Sequence, residues 1–188
     1  GQADIVLAGD SHSHTLAESI DDNHGNILNA AINGVASKEY SRVVSGIKFS
    51  GKSRLVMLSI GTNDANRKRS TPVRDFKYNA ERIIRALSST SDAVIVTAVP
   101  PIGLSAIDHF DDGLIFGYSE ALAAVCSRSP NCSYIDPHKH ARLPGQFGLA
   151  AASYLVGDGV HLSSYQAVCD QAGICRTPLR QPTIAQKN

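Results

Sequence analysis

The stretch IVLAGDSHSH, residues 5–14, runs from an apolar segment into a polar turn and decides how the rest of the chain is interpreted. Ile5 to Ala8 are apolar at consecutive positions, which is typical of a strand covered on both faces in a parallel sheet. Gly9, Asp10 and Ser11 follow directly, where open α/β sheets place their ligands. Ser11 is therefore a candidate nucleophile, and a metal-binding cluster with its histidine neighbours or a plain polar turn are the alternatives.

Similar runs recur along the chain, and together they predict the fold. The β-rich runs are residues 5–8, 28–32, 55–60, 93–99 and 134–135. Helices are predicted at about 72–87, 112–127 and 163–171, with a short helix after Ser37. This alternation predicts a three-layer α/β/α, flavodoxin-like domain with a mostly parallel five-stranded sheet. Residues 139–155 show no clear period and are expected to form a long loop.

Length and composition indicate one globular domain over residues 1–188, with a loosely held tail after about residue 177. Hydrophobic residues make up 43% of the chain, and 18 basic residues face 17 acidic ones. These values exclude a disordered chain and a strongly basic nucleic-acid binder, and they favour a small or neutral partner. The sequence has no apolar run long enough to span a membrane. The strand that begins just after Gly1 is typical of a mature or trimmed chain, so a missing leader says little about location.

The four cysteines form two closely spaced pairs, Cys126 with Cys132 and Cys169 with Cys175. Turn-forming residues inside each pair favour two disulfides, and disulfides indicate an extracytoplasmic location, periplasmic or secreted. Four buried thiols are the alternative. A zinc site is disfavoured because the Cys-x2-Cys spacing is absent.

Polar residues after the predicted strands supply the parts of acyl transfer through serine. A serine hydroxyl needs a histidine to take its proton, and the histidine needs a carboxylate to orient it. Asp158 and His161 lie three positions apart and fit those two roles. The backbone N–H groups of Ser11 and Gly34 and the side-chain amide of Asn63 are candidate oxyanion donors.

These four blocks, in this order, resemble the SGNH, or GDSL-type, hydrolase family from about Asp4 to Ala167. The blocks are Gly9-Asp10-Ser11, Gly34 in NAAINGVAS, Gly61-Thr62-Asn63-Asp64, and Asp158 to His161. The resemblance implies that Ser11 is the nucleophile, His161 the base and Asp158 its orienting acid, with Ser11, Gly34 and Asn63 as the oxyanion hole. The chain departs from the family at His12, where well-known members carry Leu or Ile, and at Ala31, where many carry a glycine.

Other histidines and a basic run offer further candidate sites. His12 with His14 and His138 with His140 form two His-x-His pairs, which are expected to be loop residues rather than metal ligands because no regularly spaced acid completes them. His12 is instead expected to tune the entrance to the site. Arg67 and Arg69, in a run that follows the third block, either lie in a solvated loop or attract an anionic substrate such as an acidic polysaccharide.

The sequence therefore predicts a serine esterase that acts through an acyl-enzyme on short acyl esters, with O-acetyl groups on carbohydrate first, and that needs no cofactor and no metal. Short lipid esters, as for a lipase or lysophospholipase, come second. A looser resemblance to the SGNH domains of membrane O-acyltransferases leaves transfer to a surface polysaccharide open. A non-catalytic glycan-binding relative is the alternative from another class, and the oligomeric state is not predicted.

Overall fold

The computed structural model describes residues 3–20, 24–47 and 51–175, and its centre is a parallel five-stranded sheet. The strand order is β2-β1-β3-β4-β5, and each neighbouring pair is parallel. The strands are β1 Ile5–Gly9, β2 Ile27–Asn29, β3 Ser53–Ser59, β4 Ser91–Thr97 and β5 Cys132–Ile135. The predicted sheet and its flavodoxin-like order are therefore confirmed.

In the described ranges, five α-helices cover the two faces of the sheet: α1 Ser11–Leu16, α2 Ser37–Val44, α3 Val73–Ser89, α4 Asp112–Cys126 and α5 Gln166–Ala172. Alternation along β1 divides its buried side chains between two cores. Val6 and Ala8 pack in the core with α2, α3 and α4, whereas Ile5 and Leu7 pack in the core with α1 and α5. The consecutive apolar residues of β1 thus reflect burial on both faces, as the sequence indicates.

The longest helix, α3, fixes the loop that follows β3. Its Phe76 ring stacks on Tyr118 of α4, with the ring centroids 4.2 Å apart. The Tyr118 hydroxyl group lies within hydrogen-bond distance of the backbone carbonyls of Thr71, at 2.5 Å, and Asp64, at 3.1 Å. Tyr118, packed between α4 and α3, therefore holds the segment between β3 and α3 at two points.

The prediction of a long loop over residues 139–155 is wrong. The segment contains an antiparallel hairpin, β6 Arg142–Leu143 and β7 Gln146–Ala150. Arg142 makes a bidentate ion pair with Asp136 at 2.6 and 2.9 Å, and its guanidinium lies 3.7 Å from the centre of the Phe147 ring. Glycine and alanine in such short strands leave no alternation of apolar and polar residues that would reveal them.

The cysteine pairs have different outcomes. Cys126 and Cys132 form the predicted disulfide, with an S–S distance of 2.05 Å. The predicted bond between Cys169 and Cys175 is not present, because both residues are thiols. Cys169 Sγ donates to the Ser19 carbonyl at 3.3 Å, and Cys175 Sγ donates to the Gln166 carbonyl at 3.4 Å. Each sulfur is thus directed to a backbone acceptor.

Among the described residues, no helix is both long and apolar enough to cross a membrane. The tail predicted after about residue 177 lies outside the described residues.

Candidate active site

The end of β1 places Ser11 at the start of α1. Gly9 has a φ of +111°, and a Cβ atom there would lie 1.8 Å from the Ser59 carbonyl oxygen, so only glycine fits this turn. Asp10 caps α1 by accepting the His12 N–H at 3.0 Å. The sequence interpretation missed this helix of six residues, in which Ser11 is the first residue.

Ser11, His161 and Asp158 form one hydrogen-bonded chain. Ser11 Oγ lies 2.9 Å from His161 Nε2, and His161 Nδ1 lies 2.6 Å from Asp158 Oδ2. With the proton of the neutral ring on Nδ1, Nε2 is left as an acceptor for the serine proton. The arrangement is therefore chemically competent for general-base activation of a serine hydroxyl.

Asp158 is held as a carboxylate by its local contacts. Its Oδ1 accepts the backbone N–H groups of Val160, at 2.8 Å, and His161, at 3.0 Å. Partial burial raises the pKa of Asp158, but hydrogen bonds from the His161 ring and from these two N–H groups outweigh it and lower the pKa below its ordinary value. Asp158 therefore stays ionised beside His161 at neutral pH.

The loop that carries Asp158 and His161 is anchored on two sides. The Val156 N–H donates to the His161 carbonyl at 2.9 Å, which closes the loop on itself. The Gly103 N–H donates to the Gly159 carbonyl at 2.7 Å, which ties the loop to the segment after β4. These backbone bonds fix the approach of His161 to Ser11 across 150 residues of sequence.

The three predicted oxyanion donors follow the carboxyl ends of three adjacent strands. Parallel pairing continues beyond β2, where the Ile32 N–H donates to the Gly9 carbonyl at 2.9 Å, so the chain reaches Gly34 beside the turn to Ser11. Asn63 lies in the turn that follows β3 on the other side of β1. The N–H groups of Ser11 and Gly34 and the Asn63 side-chain amide donate to no residue in the part of the chain that the structure describes. These donors remain available to a ligand.

A buried carboxylate, Asp64, links the Gly34 segment to the Asn63 turn. Asp64 Oδ2 accepts the Ser37 N–H at 2.8 Å, and Asp64 Oδ1 accepts the Ser37 hydroxyl at 2.6 Å. Asn79 of α3 donates to the same hydroxyl at 3.0 Å. Burial raises the pKa of Asp64, although the Ser37 bonds oppose the rise. The sequence places Asp64 in the third block but gives no signal of the partner, Ser37.

His12 is not at the entrance of the site, which corrects the prediction that it tunes this entrance as a substrate-binding residue. Its side chain is buried, at 2% exposure, and its Nδ1 lies 2.9 Å from the Tyr165 hydroxyl. Its ring centroid lies 5.3 Å from that of His161. Burial, aided by the nearby imidazoles of His161 and His138, lowers the pKa of His12 to about 3. His12 is therefore a neutral support behind His161, and Tyr165 is a residue that the sequence did not single out.

The remaining histidines are divided between the interior and the surface. His138 is buried with Nδ1 3.0 Å from the Tyr154 hydroxyl, and burial lowers its pKa to about 4. His14 and His140 are exposed. Each His-x-His pair is thus split, and within residues 3–20, 24–47 and 51–175 no group of three or more His, Cys, Asp or Glu could hold a metal ion.

The two candidate arginines lie on the surface in different settings. Arg67 donates to the Ile107 carbonyl at 2.9 Å and pairs with Asp111 at 3.4 Å, so its guanidinium is already engaged. Arg69 is exposed and lines a groove between α2 and the first half of α3. Of the two arginines, Arg69 lines this groove and Arg67 does not.

Comparisons with known proteins agree with this geometry. A model of the GDSL-like lipase/acylhydrolase family matches residues 7–165. Among curated proteins, none matches significantly.

Solved structures share the fold at low identity. They include a lipase/acylhydrolase from Enterococcus faecalis (21% identity, 91% of this chain and 92% of that one, TM-score 0.68). A GDSL-like lipase from Bacteroides thetaiotaomicron is similar at 17% identity, with a TM-score of 0.71, over 90% of this chain and 84% of that one. A variant of an acetyl xylan esterase from Geobacillus stearothermophilus is similar at 13% identity, with a TM-score of 0.65, over 94% of this chain and 98% of that one. On the family match, the chain belongs to the GDSL-like lipase/acylhydrolase family.

Proposed function

We propose that this protein is a serine esterase that removes short acyl groups, O-acetyl groups first, from carbohydrate, and that it needs no cofactor. The observation that carries the proposal is the chain of hydrogen bonds from Ser11 through His161 to Asp158. A serine with a base at 2.9 Å and an oriented carboxylate behind it has the parts of nucleophilic catalysis.

In the proposed mechanism, Ser11 Oγ attacks the ester carbonyl carbon while His161 Nε2 takes its proton. The negative charge that develops on the carbonyl oxygen is stabilised by the N–H groups of Ser11 and Gly34 and by the Asn63 amide. The tetrahedral intermediate collapses, the C–O bond to the alcohol breaks, and His161 returns the proton to the leaving oxygen. Water, deprotonated by the same imidazole, then hydrolyses the acyl-serine ester.

The openness of the site supports a carbohydrate ester. The side chains of His161 and Asp158 are 38% and 48% exposed, so the leaving alcohol can belong to a large polar molecule that stays in solvent. A structural neighbour with the same fold is named as an acetyl xylan esterase, which fits an acetylated sugar. The pair Cys126–Cys132 supports a location outside the cytoplasm, where disulfides persist.

Turnover of p-nitrophenyl acetate and acetylated xylan tests the proposal, with Ser11→Ala as the test variant and Ser133→Ala, at an exposed position on β5, as the matched control. We expect the control to keep full activity and Ser11→Ala to lose nearly all of it. A serine-reactive phosphonate should add its mass to the peptide that contains Ser11. A folded wild-type sample with neither turnover nor adduct would remove the esterase proposal. The same assay with an added sugar acceptor separates hydrolysis from acyl transfer by its product.

A further inference from the structure

A groove of about 790 Å³ lies between α2 and the first half of α3, and basic side chains outnumber acidic ones in its lining. Five basic residues face two acidic ones, Glu39 and Asp75. The basic residues are Lys38, Arg42, Arg69, Arg74 and Arg82. All five are exposed, and in the described part of the chain only Arg74 makes an ion pair, a solvated one with the adjacent Asp75.

This concentration of positive charge is local. The whole chain has 18 basic and 17 acidic residues, so no general excess explains it. Arginine side chains that line one groove repel one another, and an anion that lies between them relieves the repulsion. The groove is therefore complementary to a ligand that carries several negative charges.

The other residues of the groove indicate what kind of anion fits. Tyr78 is 61% exposed, and the Arg82 guanidinium lies 5.9 Å from its ring centroid. An exposed aromatic ring offers an apolar surface to the flat face of a sugar ring. Glu39 and Asp75 accept hydrogen bonds from hydroxyl groups but repel a dense run of phosphates. A polymer with both hydroxyls and spaced carboxylates matches this mixture better than a nucleic acid does.

The groove is lined in part by the two chain segments that carry Gly34 and Asn63. Its lining includes Ala36, two residues beyond Gly34, and Thr71, whose carbonyl is held together with that of Asp64 by Tyr118. The Ser37 backbone, at the start of α2, is bound to Asp64 next to Asn63. The groove is thus connected through short stretches of backbone to two of the predicted oxyanion donors.

We propose that this groove binds an acidic polysaccharide with carboxylate groups, and that this polymer carries the acyl groups removed at Ser11. The inference rests on the proposed esterase function for the second clause only. Carboxylates pair with Arg42 and Arg82, and a sugar ring packs on Tyr78. Arg69 is the groove residue closest in sequence to the third block, and it is the one arginine of the predicted anionic site that lines the groove.

The binding test uses de-acetylated polygalacturonate and Ser11→Ala protein, so it does not depend on turnover. The double variant Arg42→Gln/Arg82→Gln removes two positive charges from the groove. The control, Arg85→Gln, removes an exposed arginine of α3 that lies outside the groove. Exposed ion pairs contribute about 0.2–1 kcal/mol each, so the double variant should bind about two- to thirtyfold more weakly at low salt. Arg85→Gln should bind as the parent does, and added salt should reduce the difference. Tyr78→Ala should weaken binding even at high salt.

A second measurement uses protein that keeps Ser11, and it compares kcat/KM for acetylated polygalacturonate with kcat/KM for acetylated xylan. The double variant should lose activity toward the acidic polymer while activity toward xylan and p-nitrophenyl acetate stays unchanged. Equal binding by all variants, equal losses on both polymers, or binding of duplex DNA or anionic vesicles as tight as that of polygalacturonate would overturn the proposal. If no ester is hydrolysed but polygalacturonate still binds through Arg42 and Arg82, the esterase proposal fails and the groove assignment stands.

Discussion

Replacing Asp158 by asparagine creates a conflict at the proposed triad, because both carboxylate oxygens are already used. Oδ2 faces His161 Nδ1 at 2.6 Å, while Oδ1 accepts the N–H groups of Val160 and His161. An amide has only one acceptor oxygen. If this oxygen keeps the two backbone N–H groups, the NH2 group faces Nδ1 and drives the ring proton to Nε2, where it blocks proton transfer from Ser11. If the amide turns round, its NH2 group faces two N–H donors.

The expected loss has two parts. Turning the amide forfeits two backbone hydrogen bonds, which costs about 1–3 kcal/mol. Two charges about 4 Å apart interact by about 1 kcal/mol in water and about 4 kcal/mol near a protein surface. Since the Asp158 side chain is 48% exposed, the lost charge stabilisation of the imidazolium is at the lower end, about 1–2 kcal/mol. The sum of about 2–5 kcal/mol corresponds to about a 30- to 5000-fold fall in kcat.

Asp158→Ala is the matched comparison, because it removes the charge without imposing a tautomer. Its two freed N–H groups lie on an exposed loop and can bind water, so only the charge part is lost, about 5- to 30-fold. We therefore expect the asparagine variant to be slower than the alanine variant, although it is closer in shape to aspartate. Initial rates with p-nitrophenyl acetate from pH 5 to 9, on samples of equal thermal stability, measure both. An asparagine variant as fast as the alanine variant would show that Asp158 does not set the tautomer of His161.

Three further outcomes follow from the structure. Asn63→Ala should lower kcat about 100- to 1000-fold, as for the loss of one oxyanion donor, with KM for p-nitrophenyl acetate nearly unchanged; an unchanged kcat would exclude that role. Gly9→Ala should destabilise the fold by about 3 kcal/mol or more in urea unfolding, because the new methyl group meets the Ser59 carbonyl at a positive φ, and a variant of wild-type stability would contradict the turn geometry. His138→Gln should lose less of its free energy of unfolding than the wild type does between pH 7 and 4.5, because the folded-state pKa of His138, about 4, lies below its ordinary value of 6.5, so in that range protons bind His138 preferentially in the unfolded chain. The raised pKa values of buried Asp10 and Asp64 act in the opposite sense on both proteins alike, so the comparison isolates His138. Urea titrations at pH 7, 5.5 and 4.5 measure the two slopes, and equal slopes in wild type and variant would refute the assignment.

The sheet was predictable because strands that are buried on both faces have short runs of consecutive apolar residues. The five runs lie at the five strands, and the apolar spacing of α3 matches its buried residues Phe76, Ala80, Ile83, Ile84 and Leu87. The hairpin of β6 and β7 was not predictable in the same way. Its ion pair between Arg142 and Asp136 joins residues whose sequence carries no sign that they are only 10% exposed.

The candidate site was predictable in its outline but not in its support. Ser11 and His161 stand in blocks with recognisable spacing, and the structure brings them to 2.9 Å. The burial of the His12 side chain was not predictable, because a histidine next to a candidate nucleophile can lie either at the rim of the active site or in the protein interior. The contact between His12 Nδ1 and the Tyr165 hydroxyl holds the ring in the interior, and that contact spans 153 residues of sequence.

The hydrogen bonds between Asp64 and Ser37 link polymer binding in the groove to the position of the oxyanion donors. One carboxylate, Asp64, holds the first residue of α2 to the turn that carries Asn63. A bound polymer that pulls on α2 would therefore also act on the positions of two oxyanion donors, Gly34 and Asn63. Linkage requires the influence to be reciprocal: if a bound acidic chain tightens the donors around a tetrahedral intermediate, a transition-state analogue at Ser11 must tighten the hold on the chain by the same factor.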